Sequence, residues 1–397
     1  MRLLSVEDAR AGMLAEAVRT RDATAALRDA VGGVLRGDVT ATRDQPPFSA
    51  SAMDGWAVRA ADGPGRLKIV GESAAGHGYV GDVKPGEAVR IFTGAAIPAG
   101  ADAVVIQEDA VRDGDFVDIP AVTNLMHVRP RGLDFRAGTR LLTAGTRLDA
   151  WRLGLAAASG AAWVSVATRP RVAILSTGEE VVEPGQVPGP FQIFNSGTTS
   201  LGALCGNWGA EVIPMGNVSD NEADIAAAAG AIGGDLLVTV GGASVGDHDL
   251  VKPALARLGM RMVVESVAVR PGKPTWFAVL DDGRRVLGLP GNPASALVCA
   301  ELFLKPLLMA MQGGASAIEL ITARATLPLA ANGNREHWMR AQLGHSPDGV
   351  ITATPLNDQD SSLVTVFASA DALLRRRPGA PAAAVGDPVS VLPLSRA

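Results

Sequence analysis

Aromatic side chains, cysteines and histidines are all scarce in this chain of 397 residues. Aromatics make up 4% of it, with a single tyrosine, two cysteines and five histidines. Cys205 and Cys299 lie far apart in apolar helical patterns, so neither a disulfide nor a metal pair is expected and both read as buried, inert thiols. The histidines fall in no H-x-x-H or H-E-x-x-H spacing, which argues against a zinc site. Positive charge is not in excess: 36 Lys and Arg against 41 Asp and Glu leave a formal charge of −5, so no basic stripe for nucleic acid is expected. No apolar run approaches the ~20 residues of a membrane span, and the first residues carry acids in place of an apolar leader core. The expectation is a cytoplasmic protein that binds neither nucleic acid nor membrane.

Glycine and proline are plentiful, at 46 and 25, and hydrophobic residues reach 47%. This is a globular composition with many ordered turns, and the length calls for two to four domains. Val6, Ala9, Met13 and Ala17, then Leu27, Val31 and Val34, recur at helix spacing, so residues 1–36 read as helical. Short strands between turn signals follow, and residues 136–168 return to a helical pattern. The implied organisation is an elongated, discontinuous N-terminal helical domain (1–40 and 135–169) interrupted by a small inserted β-domain (41–134). Residues 170–312 alternate strand and helix, the signature of a doubly wound parallel α/β domain. From 313 to 397 the chain is strand-like again, a C-terminal β-domain. The fold class is therefore multi-domain, α/β plus β.

Polar residues gather in five turns of the α/β segment: 176–180, 217–220, 241–249, 270–274 and 289–293. Turns after strands share one edge of a parallel sheet, where ligands bind. Glu180, Asp220 and Asp249 are hard oxygen ligands suited to Mg²⁺, although capping of the following helix accounts for Asp220 equally well. Arg270 and Lys273 sit in a proline-stiffened turn that can hold an anion at reduced entropic cost. Lys273 is followed by proline, so no P-loop is present, and no G-x-G-x-x-G opens a helix. Residues 242–246 match G-x-S-x-G around Ser244. A serine hydrolase would need His337 or His345, both outside the α/β segment. In the insert, Asp54-Gly55 reads by default as a hairpin turn, with Thr93 and Asp134 in nearby turns.

The strings PPFSASAMDGWA, IFTGAAIPAGADAVV, RPRGLDF, AILSTGEE, GGASVGDHD, RPGKP and GLPGNPASA, in this order, resemble the molybdopterin molybdenumtransferase family, which is similar to the C-terminal half of gephyrin. The resemblance implies a four-domain homodimer that takes adenylylated molybdopterin and molybdate and releases AMP and the molybdenum cofactor with the help of Mg²⁺. A molybdopterin adenylyltransferase is the implied donor. It further implies Asp220 and Asp249 as metal acids, with Glu180 beside them, and Ser244 on a substrate phosphate. Arg270, Lys273 and Pro274 resemble a molybdate pocket completed by Arg335 and Ser361. Pro290 and Pro293 would line the substrate site, and Asp54, Thr93 and Asp134 would reach across the dimer. Asp54, Glu180, Asp249 and Lys273 are the implied catalytic set. Trp56 stands where tyrosine is usual, Arg270 where lysine is commoner, and Ser266 where some members carry a further cation. A non-catalytic scaffold of the same fold is the alternative.

Overall fold

A computed structural model describes residues 3–242 and 250–394. Its centre is a six-stranded sheet in the order Glu211–Val218, Arg171–Thr177, Leu236–Val240, Arg285–Leu289, Trp276–Val279, Arg261–Val264. The first four strands are parallel. Side chains alternate across a strand, and here both sets are apolar. Val172, Ile174, Leu236 and Val238 pack on Leu201, Cys205 and Trp208. Ala173, Leu175 and Leu237 face Ile225, Ala229, Val251 and Leu255 on the opposite side. Both faces are thus covered by helices, as a parallel sheet requires. Burial pushes both thiols, Cys205 and Cys299, up to about 12.

The two remaining strands are antiparallel, which departs from the all-parallel expectation. The reason is connection length. Only five residues separate Trp276–Val279 from Arg285–Leu289, and Gly283 among them has φ 85°. A parallel return needs a crossover of a dozen or more residues. Helix Pro293–Cys299 continues through a π-helical turn, Ala300–Leu304, into Lys305–Gln312. Its 20 residues are long and apolar enough to cross a bilayer, but 89% of an apolar 18-residue window within it is buried in the protein.

The N-terminal flank is less helical than its periodicity implies. Only Val6–Ala15 and Ala150–Ala158 form α-helices there. Asp22–Ala26 pairs with Trp163–Ala167, and Val39–Thr40 with Arg140–Leu142, both antiparallel. Gly32-Gly33 and Gly160, two of them at positive φ, interrupt the runs, and the apolar residues pack as a cluster including Leu35, Val39, Leu142, Leu148 and Val164. This cluster joins chain from both sides of the insert. The insert forms a six-stranded sheet with Gly55–Val58 and Glu87–Ile91 adjacent. At the C-terminus, Glu336–His345, Ile351–Pro355, Ile321–Ala325, Pro388–Pro393 and Ala372–Arg376 form a barrel closed by pairing of the last strand with the first. Val269–Arg270, from the α/β segment, joins its edge beside Glu336 and His337.

Trp276 lies directly opposite Gly288 and is fully buried, and a Cβ on Gly288 would meet its indole at 2.0 Å. Gly288→Ala is expected to destabilise the protein by about 1–3 kcal/mol through overpacking, measured as a fall in the urea midpoint without loss of slope.

Candidate functional site

The strand Arg171–Thr177 lies between Glu211–Val218 and Leu236–Val240, so successive connections place strands on opposite sides of it. Such a switch point opens a crevice at the carboxyl ends of the strands. A cavity of about 730 Å³ occupies that place, lined by Thr177, Glu180, Asn195, Gly241, Pro274, Pro290 and Pro293 among others. Gly241 has φ 92° and backs onto the Thr177 carbonyl, a turn that other residues make only under strain. Two helix starts, Ser196 and Pro293, open onto the cavity, and the positive ends of their dipoles favour an anionic ligand. The floor is held by side-chain amides. Asn195 caps its helix by accepting from the Thr198 N–H and donates to Ser176 Oγ at 3.1 Å and to Glu183 at 2.9 Å. Asn217 donates to the carbonyls of Gly178 and Val181.

A second cavity of about 580 Å³ adjoins it, the two sharing Pro274, Pro290 and Asn292. Arg270, Lys273, Arg335, Gln359 and Ser361 line this one. Chain direction is the opposite of the expectation here: residues 270–274 precede an antiparallel strand, which brings them to the carboxyl edge of the parallel ones. Gly272 adopts φ 112° against Cys299 Sγ. Ser361 is docked onto the helix start, its carbonyl accepting from the Ala294 N–H and its Oγ from Asn292 Nδ2 at 3.0 Å. Two acids also line the cavity, but their carboxylates are used locally: Asp358 accepts from the Asp360 N–H, and Asp360 from the Ser362 N–H and hydroxyl. The Ser362 bonds hold the Asp360 carboxyl below its ordinary value. Three cations against these two acids still leave the lining net positive.

Glu180 and Asp220 are both exposed at this edge, and Asp220 accepts from the Glu179 N–H at 3.3 Å. Among the described residues no cluster of three acid, histidine or cysteine ligands exists, so there is no closed metal cage. Mg²⁺ takes one or two carboxylates and completes its shell with water and substrate phosphate, and these two acids fit that donor set. Asp249 and Ser244 lie outside the described residues. Neither cavity is lined by Asp54, Thr93 or Asp134. Asp54 accepts from the Thr93 N–H and Oγ1, each at 2.7 Å, and those bonds lower its pKa; Asp134 is exposed in the insert. Trp56 is buried, with the Arg90 guanidinium 5.3 Å from its ring centre. Ser266 is buried beside the Leu3–Leu4 strand and lines neither cavity, so it does not subtract a cation from the pocket. Asn195 and Asn292 were not among the expected site residues; Asn directly before a helix is the signal that marks both.

Residues 4–160 match the MoeA N-terminal region (domain I and II), 173–310 a probable molybdopterin binding domain, and 322–394 the MoeA C-terminal region (domain IV). The molybdopterin molybdenumtransferase of Nostoc sp. is 38% identical over 333 residues, 80% of this chain and 76% of that protein. That of Haemophilus influenzae is 32% identical over 383 residues, 94% of each. This chain belongs to the molybdopterin molybdenumtransferase family. A crystal structure described as a molybdopterin biosynthesis MoeA protein from Pyrococcus horikosii shares the fold, with a TM-score of 0.82 at 29% identity over the full length of both chains.

In this family member the cationic strip continues past Arg270. His337 is buried, and burial together with Arg270, Arg340, Arg335 and Arg376 lowers its pKa to about 4. The unfolded chain therefore binds the proton more readily between pH 6.5 and 4. Stability from this group is intact above pH 6.5 and is lost as pH falls toward 4, by up to about 3 kcal/mol. Urea unfolding at a series of pH values should show this acid loss reduced by that amount in His337→Gln.

Proposed function

We propose that this chain transfers molybdenum from molybdate to adenylylated molybdopterin, releasing AMP and the molybdenum cofactor. The observation that carries the reading is the shared wall of Pro274, Pro290 and Asn292 between a crevice suited to a phosphorylated ligand and a pocket of three cations. In this scheme the pterin and its phosphates occupy the larger cavity, against the Gly241-Gly242 turn and the two helix starts. Molybdate, a tetrahedral dianion, binds between Arg270, Lys273 and Arg335, with the Ser361 hydroxyl as a further donor. The side chains of those three cations make no hydrogen bond or ion pair among the described residues, so they are available to a ligand without breaking an existing contact. Fixing both substrates against one wall converts their encounter into a local one. Mg²⁺ held by Asp220 and Glu180 would neutralise charge on the adenylate phosphates as AMP departs.

Purified protein supplied with adenylylated molybdopterin, Mg²⁺ and molybdate should release AMP only when molybdate is present. Lys273→Ala is expected to raise the molybdate KM about 10- to 100-fold, the loss of one charge-assisted contact of about 1.5–3 kcal/mol. Molybdate-independent AMP release, or an unchanged KM in the variant, would overturn the assignment.

Asp54, Thr93 and Asp134 stand on the insert, away from both cavities, and we infer that they complete the cleft of a partner subunit in a homodimer. Assayed at molybdate far below the raised KM of Lys273→Ala, where that variant turns over negligibly, Asp54→Ala and Lys273→Ala should then complement each other. In an equimolar exchanged mixture half the dimers are mixed and each has one intact site, so about a quarter of wild-type activity should return. No recovery after subunit exchange would place the insert residues in their own chain's site.

A further inference from the structure

A third cavity of about 370 Å³ opens between residues 327–333, residues 355–359 and the strands Glu336–His345 and Ala372–Arg376. It shares Arg270 and Gln359 with the cationic pocket, and the rest of its lining is different. Three of its lining residues, Arg270, His337 and Arg376, are basic and none is acidic, while Leu327, Leu329, Met339, Pro355 and Leu356 supply apolar surface. Arg376 is 8% exposed. Its Nη2 donates to the carbonyls of Ala330 and Pro381, yet its buried Nε has no partner among the described residues. Arg340, on the strand that carries His337 but outside the cavity lining, is fully buried, bonded through Nη2 to the Asp360 carbonyl at 2.9 Å and offset by the charges of Asp358 and Asp360.

A guanidinium taken out of water without a counter-charge is strongly unfavourable; Arg376 is in that position, with no acid in ion-pair contact among the described residues and none in the cavity lining, so the cavity lacks an anion. We propose that this cavity binds a small organic anion, a phosphate or carboxylate on an apolar body, at a site distinct from the molybdate pocket. Its volume falls within the range of about 300–1,000 Å³ usual for small-molecule sites. The anion sits against Arg376 and Arg270, and its body covers the leucine, methionine and proline lining. Burial first, and then the charges of the surrounding arginines, depress the pKa of His337 on the cavity wall. Because Arg270 is common to both cavities, an anion here also weakens the hold of Arg270 on molybdate.

Titration calorimetry of the full chain with phenyl phosphate, benzoate and inorganic phosphate tests this. One organic anion should bind per chain, more tightly than inorganic phosphate, and phenyl phosphate against benzoate decides between the two headgroups. Binding should persist in Lys273→Ala and weaken at least tenfold in Asn357→Asp and in Ala331→Glu, two exposed positions of the lining where a carboxylate is added. Unchanged thermal unfolding of those variants would show that the fold is retained. Loss of binding in Lys273→Ala with retention in both acidic variants would move the ligand to the neighbouring pocket and overturn the proposal. So would the absence of binding to the wild-type chain at millimolar concentration.

Discussion

The cationic pocket depends on a two-residue strand. Val269 and Arg270 leave the central sheet and pair with Glu336 and His337 of the C-terminal barrel; three residues later Lys273 is back at the carboxyl edge of the α/β sheet. One short loop is therefore held at its two ends by two different cores. The Ala268 carbonyl also accepts from the Glu336 N–H, and on the far wall Ser361 is bonded to the start of the core helix. Without these contacts Arg270, Lys273, Arg335 and Ser361 would belong to bodies free to move apart, and a site built to a tolerance of fractions of an ångström needs such support.

The same docking concentrates positive charge in a partly desolvated seam. Burial, reinforced by Arg270, Arg340, Arg335 and Arg376, keeps His337 neutral. The nearby acids Asp358 and Asp360 relieve only Arg340 and are occupied by their own loop. A fold optimised for stability alone would pair or remove these cations. Their retention next to a pocket open to solvent suits the proposed binding of a dianion, for which preorganised charge is the main requirement.

Much of this was legible in the chain. The alternation of apolar strands with helices located the crevice, and the Gly-, Pro- and Ser-rich turns at 176, 217, 241, 270 and 289 fell on one sheet edge. What escaped had physical causes. Leu27, Val31 and Val34 have helix spacing, but glycines break the run and β-pairing with a segment more than a hundred residues away wins. The antiparallel edge was encoded in the Asp282-Gly283 turn, a hairpin signal outweighed by the surrounding α/β pattern. Pairing of Val269–Arg270 with the barrel cannot be read locally, because it depends on tertiary docking. Asn195 is an N-cap whose amide also reaches the crevice floor, and capping and ligand contact use the same residue type.

The most direct measurement is the anomalous difference map of crystals soaked in tungstate, a heavier dianion of the same shape as molybdate, collected at the tungsten edge. The proposed function predicts a peak within contact of Arg270, Lys273, Arg335 and Ser361. A strong peak elsewhere, with that pocket empty, would contradict the account.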